Sequence, residues 1–91
     1  MKYDVKRSFN RSYKKLTSTE QKLVDTAIFK LKDFFGSGEK QAGLGVKKLR
    51  WNFWEIRAAI KIRILFTLEN DIVSFVIAGN HDDVVKYLKN A

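Results

Sequence analysis

Residues 53 to 68, FWEIRAAIKIRILFTL, carry a period of two. The even positions Trp54, Ile56, Ala58, Ile60, Ile62, Ile64, Phe66 and Leu68 are all apolar, and the odd ones include Glu55, Arg57, Lys61 and Arg63. Such alternation sends the two sets to opposite faces of a sheet, one packed on a core and one open to charge. Fully extended, the run would reach roughly 50 Å, more than a small domain houses as one strand. It therefore folds back, near Ala58 to Lys61. Apolar parity is even on both sides of that reversal, which predicts an odd-length connection or a bulge rather than a two-residue turn.

The flanking segments complete a simple order. Tyr3, Val5 and Phe9 alternate with polar neighbours and predict a short first strand, after which Asn10 or Ser12 is placed to cap a short helix carrying Tyr13 and Leu16. Leu23, Val24, Ala27, Ile28, Leu31, Phe34 and Phe35 recur at helical spacing from Ser18 to Phe35, with Thr17 and Glu20 as a capping box and Gly36-Ser37-Gly38 as the stop. That stripe reads as core. Residues 36 to 46, GSGEKQAGLGV, read as a connector, because neither a dinucleotide nor a Walker glycine pattern is present. Asn70-Asp71 supplies a second reversal, and Ile72 to Ala78 is apolar on both faces, as a central strand is. Asn80, Asp82 and Asp83 favour a helix start, followed by Val84, Val85, Tyr87 and Leu88. The expectation is one α+β domain over residues 1–91. It has a small antiparallel sheet of about four strands, two N-terminal helices on one face and a short C-terminal helix.

Charge narrows the partners. The 91 residues hold 18 Lys and Arg against 10 Asp and Glu, a formal net charge of +8, which favours nucleic acid, ribosome or an acidic protein. The chain has no Cys, so it has no disulfide framework or thiolate metal site, and no zinc spacing stands out. MKYDVKRSF lacks the apolar stretch of a secretory signal and no run approaches a membrane span, so a cytoplasmic protein without membrane contact is expected.

Arg57, Lys61 and Arg63 project from the charged face, and Lys47, Lys48 and Arg50 lie just upstream. Guanidinium groups offer planar bidentate contacts to phosphate, so this set either grips a nucleic-acid backbone or only keeps the sheet soluble. His81, the only histidine, follows the central strand where a site would open. An imidazole exchanges protons in the neutral range, but a histidine at a helix start also serves as a backbone-bonding residue. Glu55 is a general base or the ion partner of Arg57 or Arg63. Tyr87 offers a base-stacking ring or a phenolic proton, or packs against Val84. Trp51, Phe53 and Trp54 read as core or sheet edge, with base stacking by Trp51 or Phe53 as the other use.

The string KKLRWNFWEIRAAIKIRILFTLENDIVSFVIAGNHDDVVKYL resembles the RelE/ParE superfamily of bacterial type II toxin–antitoxin toxins, over nearly the whole chain. The resemblance rests on the order and spacing of K-K-L at Lys47, W-E-I-R from Trp54 to Arg57, R-I-L-F from Arg63 to Phe66, and G-N-H-D-D from Gly79 to Asp83. In the RelE and YafQ branches it implies a metal-independent endoribonuclease, without cofactor, that cuts mRNA in the ribosomal A site and is silenced by a cognate antitoxin. Arg63 matches the RelE arginine that holds the scissile phosphate, and Tyr87 the tyrosine of its terminal helix. His81 falls where YafQ-like members place a catalytic histidine, and Glu55 at an acidic position of that branch. Arg57 stands at a histidine position of the YafQ-like pattern, Lys61 replaces an acid and Val85 an aromatic. The implied catalytic set is His81, Arg63, Glu55, Tyr87 and Arg57, with Lys47, Lys48, Arg50 and Lys61 joining the arginines on RNA. A ParE-like inhibitor of DNA gyrase and a non-toxic nucleic-acid-binding relative are the rival readings.

Overall fold

A computed structural model of the chain describes residues 1–38 and 44–91. The elements run β1 (Lys2–Val5), α1 (Arg7–Lys14), α2 (Ser18–Ser37), β2 (Lys47–Lys48), β3 (Phe53–Ala59), β4 (Ile62–Glu69), β5 (Ile72–Gly79) and α3 (His81–Lys89). Among the described residues the strands form one five-stranded sheet in the order β1-β5-β4-β3-β2. The α+β architecture is the expected one, but the sheet is larger and mixed, because β1 pairs in parallel with β5. Lys47 and Lys48, expected only as upstream cations, pair with Glu55 and Trp54 as a two-residue edge strand too short to show a period.

The long alternating run is the hairpin β3–β4. Its chain reversal is a two-residue turn at Ile60 and Lys61, and the register slips between Arg57 and Ala59, so Ala58 is an extra residue. This bulge keeps the even positions on one face through the turn, as the parity demanded. Asn70 and Asp71 both adopt positive φ, 53° and 61°, in the two-residue connection to β5. That conformation matches the right-handed twist of the two strands it joins.

The even face packs on α1 and α2. Ile56, Ile64, Phe66 and Phe75 meet Phe9, Val24 and Leu31 in the main core, each at most 5% exposed. Helix α2 begins with the expected capping box, Thr17 with Glu20, and ends on Gly38 at φ 77°. Gly36 lies inside the helix. Leu44 is also buried in this core, so part of the glycine-rich connector is anchored; residues 39–43 of that connector lie outside the described residues.

Helix α1 starts earlier than its sequence suggested. The strand stops at Val5, and the helix starts at Arg7 with Lys6 as N-cap and no side-chain cap bond, leaving Asn10 and Ser12 inside it. The edge of β5 explains the difference. β1 pairs with β5 only as far as Phe75; beyond it the Ser8 hydroxyl donates to the Val76 carbonyl, and the Ala78 N–H donates to Ser12 Oγ at 3.0 Å. Two serines on α1 thus take the place of a strand partner, which requires helix rather than strand at residues 7–9 and covers an otherwise open edge. The Tyr13 hydroxyl donates to Asp25 Oδ1 at 2.8 Å, joining α1 to α2, and this bond beside a carboxylate holds the phenol above its usual range.

The opposite face is only partly open. Leu65 and Val76 are buried beneath Val84 of α3, with Leu49, Phe53, Tyr87 and Leu88 around them. An exposed odd face was expected along the whole hairpin, but α3 covers the apolar half, and this is why β5 is apolar on both sides. The charged odd residues are left at the uncovered end.

Candidate functional site

At that end the sheet register sets up two neighbouring rows. Lys47 pairs with Glu55 and Glu55 with Leu65; one step along, Arg57 pairs with Arg63 and Arg63 with Gly79. Like charges directly opposite one another destabilise a strand pair, a cost that an anionic ligand between them would offset. Arg63 is held on both sides. Its Nε lies 3.6 Å from Glu55 Oε1, and its Nη1 donates to the carbonyls of Ile60 at 3.3 Å and Ala59 at 3.5 Å. The Arg63 and Glu55 side chains are 20% and 13% exposed, so this pair is largely withdrawn from solvent. A guanidinium has five N–H donors in a rigid fork, so one that is braced through Nε and Nη1 still has capacity for a ligand.

His81 reaches the same place from a different element. Asn80 caps α3: its side chain accepts from the Asp83 N–H at 2.8 Å, and Asp83 Oδ2 accepts from the Asn80 N–H at 2.9 Å. The capping box fixes where β5 ends and therefore where His81, the first residue of α3, stands. Gly79 belongs to this device, since a Cβ there would fall 2.5 Å from Asp83 Oδ2. Asn80→Ala removes the side-chain cap; the expected loss is about 0.5–2 kcal/mol of stability, read from a chemical denaturation curve.

These side chains line a cleft of about 310 Å³. Glu55, Arg57, Arg63, His81 and Lys47 form its polar wall, and Leu49, Val84, Val85 and Leu88 its apolar one. Four of the five residues expected to act in catalysis therefore converge. Tyr87 does not join them: its ring packs edge-on against Phe53, 6.4 Å between centroids, and it lines a separate cleft near the C-terminus. Arg63 and His81 also line an adjoining cleft of about 220 Å³, with Ile60, Lys61, Asn80 and Asp82, so they form the ridge between two depressions. Lys61 sits in the hairpin turn and lines this adjoining cleft rather than the main one.

The other expected RNA contacts are distributed. Lys47 belongs to the main cleft, whereas Lys48 and Arg50 line only a neighbouring groove. The Lys48 ammonium lies 5.9 Å from the Trp54 ring, and Arg50 donates through Nη2 to the Leu88 carbonyl. Sequence reasoning missed Gly45. It lines the cleft at φ 58°, and an added Cβ would sit 3.8 Å from Arg57 Cβ, so a residue without a side chain borders the arginine there. The spacing Gly43-Leu44-Gly45, an apolar residue between glycines, was the available signal.

No family model matches the sequence, and no curated protein matches it significantly. Solved structures do match. The chain is similar to RelE in the RelB–RelE antitoxin–toxin complex from Methanococcus jannaschii, with TM-score 0.69 and 16% identity over 92% of this chain and 96% of the other. A YoeB/ParE toxin from Agrobacterium tumefaciens matches with TM-score 0.66 and 14% identity, covering 89% of this chain and 99% of that one. This is the RelE/ParE toxin fold. YafQ of the Escherichia coli DinJ–YafQ complex shares it as well, with TM-score 0.65 and 12% identity over 90% and 94% of the two chains. The architecture implied by the sequence resemblance is therefore the one observed. In the RelE/ParE-type fold of this chain, the cleft lies on the sheet face opposite α1 and α2, at the N-terminal end of α3.

Proposed function

We propose that this chain is the toxin of a bacterial type II toxin–antitoxin module, acting in the cytoplasm as an endoribonuclease that cuts mRNA on the ribosome and so stops translation. One observation carries the reading: the cleft holds a braced arginine, a second arginine, a carboxylate and the chain's only histidine within one small volume. Among the described residues three cations, Lys47, Arg57 and Arg63, face one carboxylate there, which suits a phosphodiester.

The chemistry needs no group beyond these side chains and the RNA. The ribose 2′-hydroxyl oxygen attacks the adjacent phosphorus and the bond to the 5′-oxygen of the next nucleotide breaks, leaving a 2′,3′-cyclic phosphate and a 5′-hydroxyl. Glu55, held at Arg63, accepts the 2′-hydroxyl proton. His81, exposed at the start of α3, gives a proton to the departing oxygen. Arg63 and Arg57, which both line the cleft, stabilise the extra charge of the phosphorane. With Arg63 and His81 on the ridge between two depressions, the scissile phosphate sits on the ridge and its flanking nucleotides on either side. Tyr87 buttresses α3 through Phe53. The cognate antitoxin, an acidic or amphipathic protein, inhibits by covering the arginines, and Arg57→Glu/Arg63→Glu weakens its binding.

Expression in cells separates this reading from gyrase inhibition, which the same fold also serves. Incorporation of labelled amino acids falls at once while thymidine incorporation initially continues, and His81→Ala relieves the block. Early DNA damage with translation intact would instead assign the chain to the gyrase-directed class.

A further inference from the structure

The cleft continues into a second groove. Its volume is about 390 Å³, and among the described residues four cations line it, Lys47, Lys48, Arg50 and Lys89, and no carboxylate does. The two depressions share Lys47, Leu49, Val85 and Leu88, so they form one track. Next to Arg50, which lines only the second groove, stands Trp51, 67% exposed. Leaving so large an apolar ring in water forgoes the burial that tryptophans usually find. Its backbone is also unfavourable, at φ 51°, a left-handed conformation rare for bulky residues. The ring is nevertheless held in place: the Arg50 guanidinium lies 4.6 Å from its centroid, and the same guanidinium is anchored on the Leu88 carbonyl at the end of α3. An exposed indole with a guanidinium on its face, beside a groove of cations, offers a stacking surface next to positive charge.

We propose that the second groove and the Trp51–Arg50 pair form a subsite for single-stranded RNA flanking the scissile phosphate, with one base stacked on the indole. The inference rests on the ribonuclease reading and deepens it, adding a binding contribution away from the reacting atoms. Stacking on a π-face accepts every base, so the subsite adds affinity with little sequence preference.

The test uses uncleavable, fully 2′-O-methylated oligoribonucleotides of about three and about ten nucleotides, the longer able to reach a stacking platform beyond the cleft. Titrations are made at one fixed salt concentration, with a Trp54→Phe background so that Trp51 is the only indole. The longer oligonucleotide is expected to bind more tightly and quench Trp51 fluorescence. Trp51→Ala lowers its affinity about tenfold, Trp51→Phe retains most of it, and the shorter one is unaffected. Equal binding of the longer RNA by parent and Trp51→Ala overturns the subsite while the cleft reading stands. So does a loss confined to binding of the cognate antitoxin, which makes Trp51 a protein contact. Absence of binding of the longer oligonucleotide by parent protein overturns the subsite, whereas the ribonuclease reading fails only if well-folded parent protein leaves ribosome-bound mRNA intact.

Discussion

Arg63→Ala is expected to slow mRNA cleavage by about 10²- to 10³-fold, the usual consequence of removing one donor that stabilises a charge developing in the transition state. The guanidinium is fixed before substrate arrives, by Glu55 on one side and by the carbonyls of Ala59 and Ile60 on the other. It therefore reorganises little as the phosphorane forms. Single-turnover cleavage of ribosome-bound mRNA measures the effect, and a thermal melt of the same protein checks that the fold survives. Arg63→Lys does not restore the rate, because an ammonium cannot reproduce the planar fork that bonds carboxylate, carbonyl and phosphate at once. A variant that cuts at the parental rate would remove Arg63 from the reaction. The Glu55 contact has a second consequence: losing either partner leaves the other withdrawn from solvent without its counter-charge, so Glu55→Ala also perturbs Arg63.

The largest loss of stability is expected from Phe75→Ala. Phe75 is 2% exposed, and its ring meets three others: Tyr3 at 6.4 Å, Phe9 at 5.9 Å and Phe66 at 6.2 Å between centroids. It is where the parallel strand, the first helix and the central hairpin pack together. Truncating a buried phenylalanine costs about 3–5 kcal/mol, which in a domain of this size lowers Tm by roughly 10–40 °C. Against the roughly 5–15 kcal/mol of total stability typical of such domains, a loss of this size removes a third or more of a margin of about 9 kcal/mol and, at its upper figure, all of a margin of about 5 kcal/mol. Circular dichroism against temperature reads it directly. A fall of only a few degrees would mean that the four rings do not form the hub of this core.

The two residues also mark how much was legible in the chain. The hairpin was readable because parity is local information: even positions stay apolar through the reversal, and only the bulge at Ala58 reconciles that with a two-residue turn. The starts of α2 and α3 were readable for the same reason, since Thr17 with Glu20 and Asn80 with Asp83 are three residues apart. Long-range pairing was not. Nothing local tells Lys2–Val5 to join β5 in parallel, or tells Ser8 and Ser12 to finish the edge that β1 leaves unpaired. Burial on the second face was equally hidden. Leu65 looks like an exception in a charged set until Val84 of α3 is seen to cover it.

The same division runs through the candidate site. Arg57 and Arg63 were paired by the hairpin register, and His81 was placed by the end of β5, so their convergence with Glu55 followed from strand geometry plus a helix start. Tyr87 lies six residues beyond His81, where 3.6 residues per turn carries it around the helix to Phe53. Lys61 shares the odd parity of the arginines but falls in the turn, where parity no longer assigns a face. Gly45 and Leu44 lie in a stretch with no periodicity, and their places beside Arg57 and in the core emerge only from tertiary packing.

Whether this cleft cuts mRNA is decided by primer extension on a reporter mRNA in a purified translation system. Parent, Arg63→Ala and His81→Ala are compared with and without ribosomes. Codon-phased cuts that require ribosomes and largely disappear in both variants are the expected result. Intact mRNA in the presence of well-folded parent protein would contradict it, and so would cutting that persists unchanged in either variant.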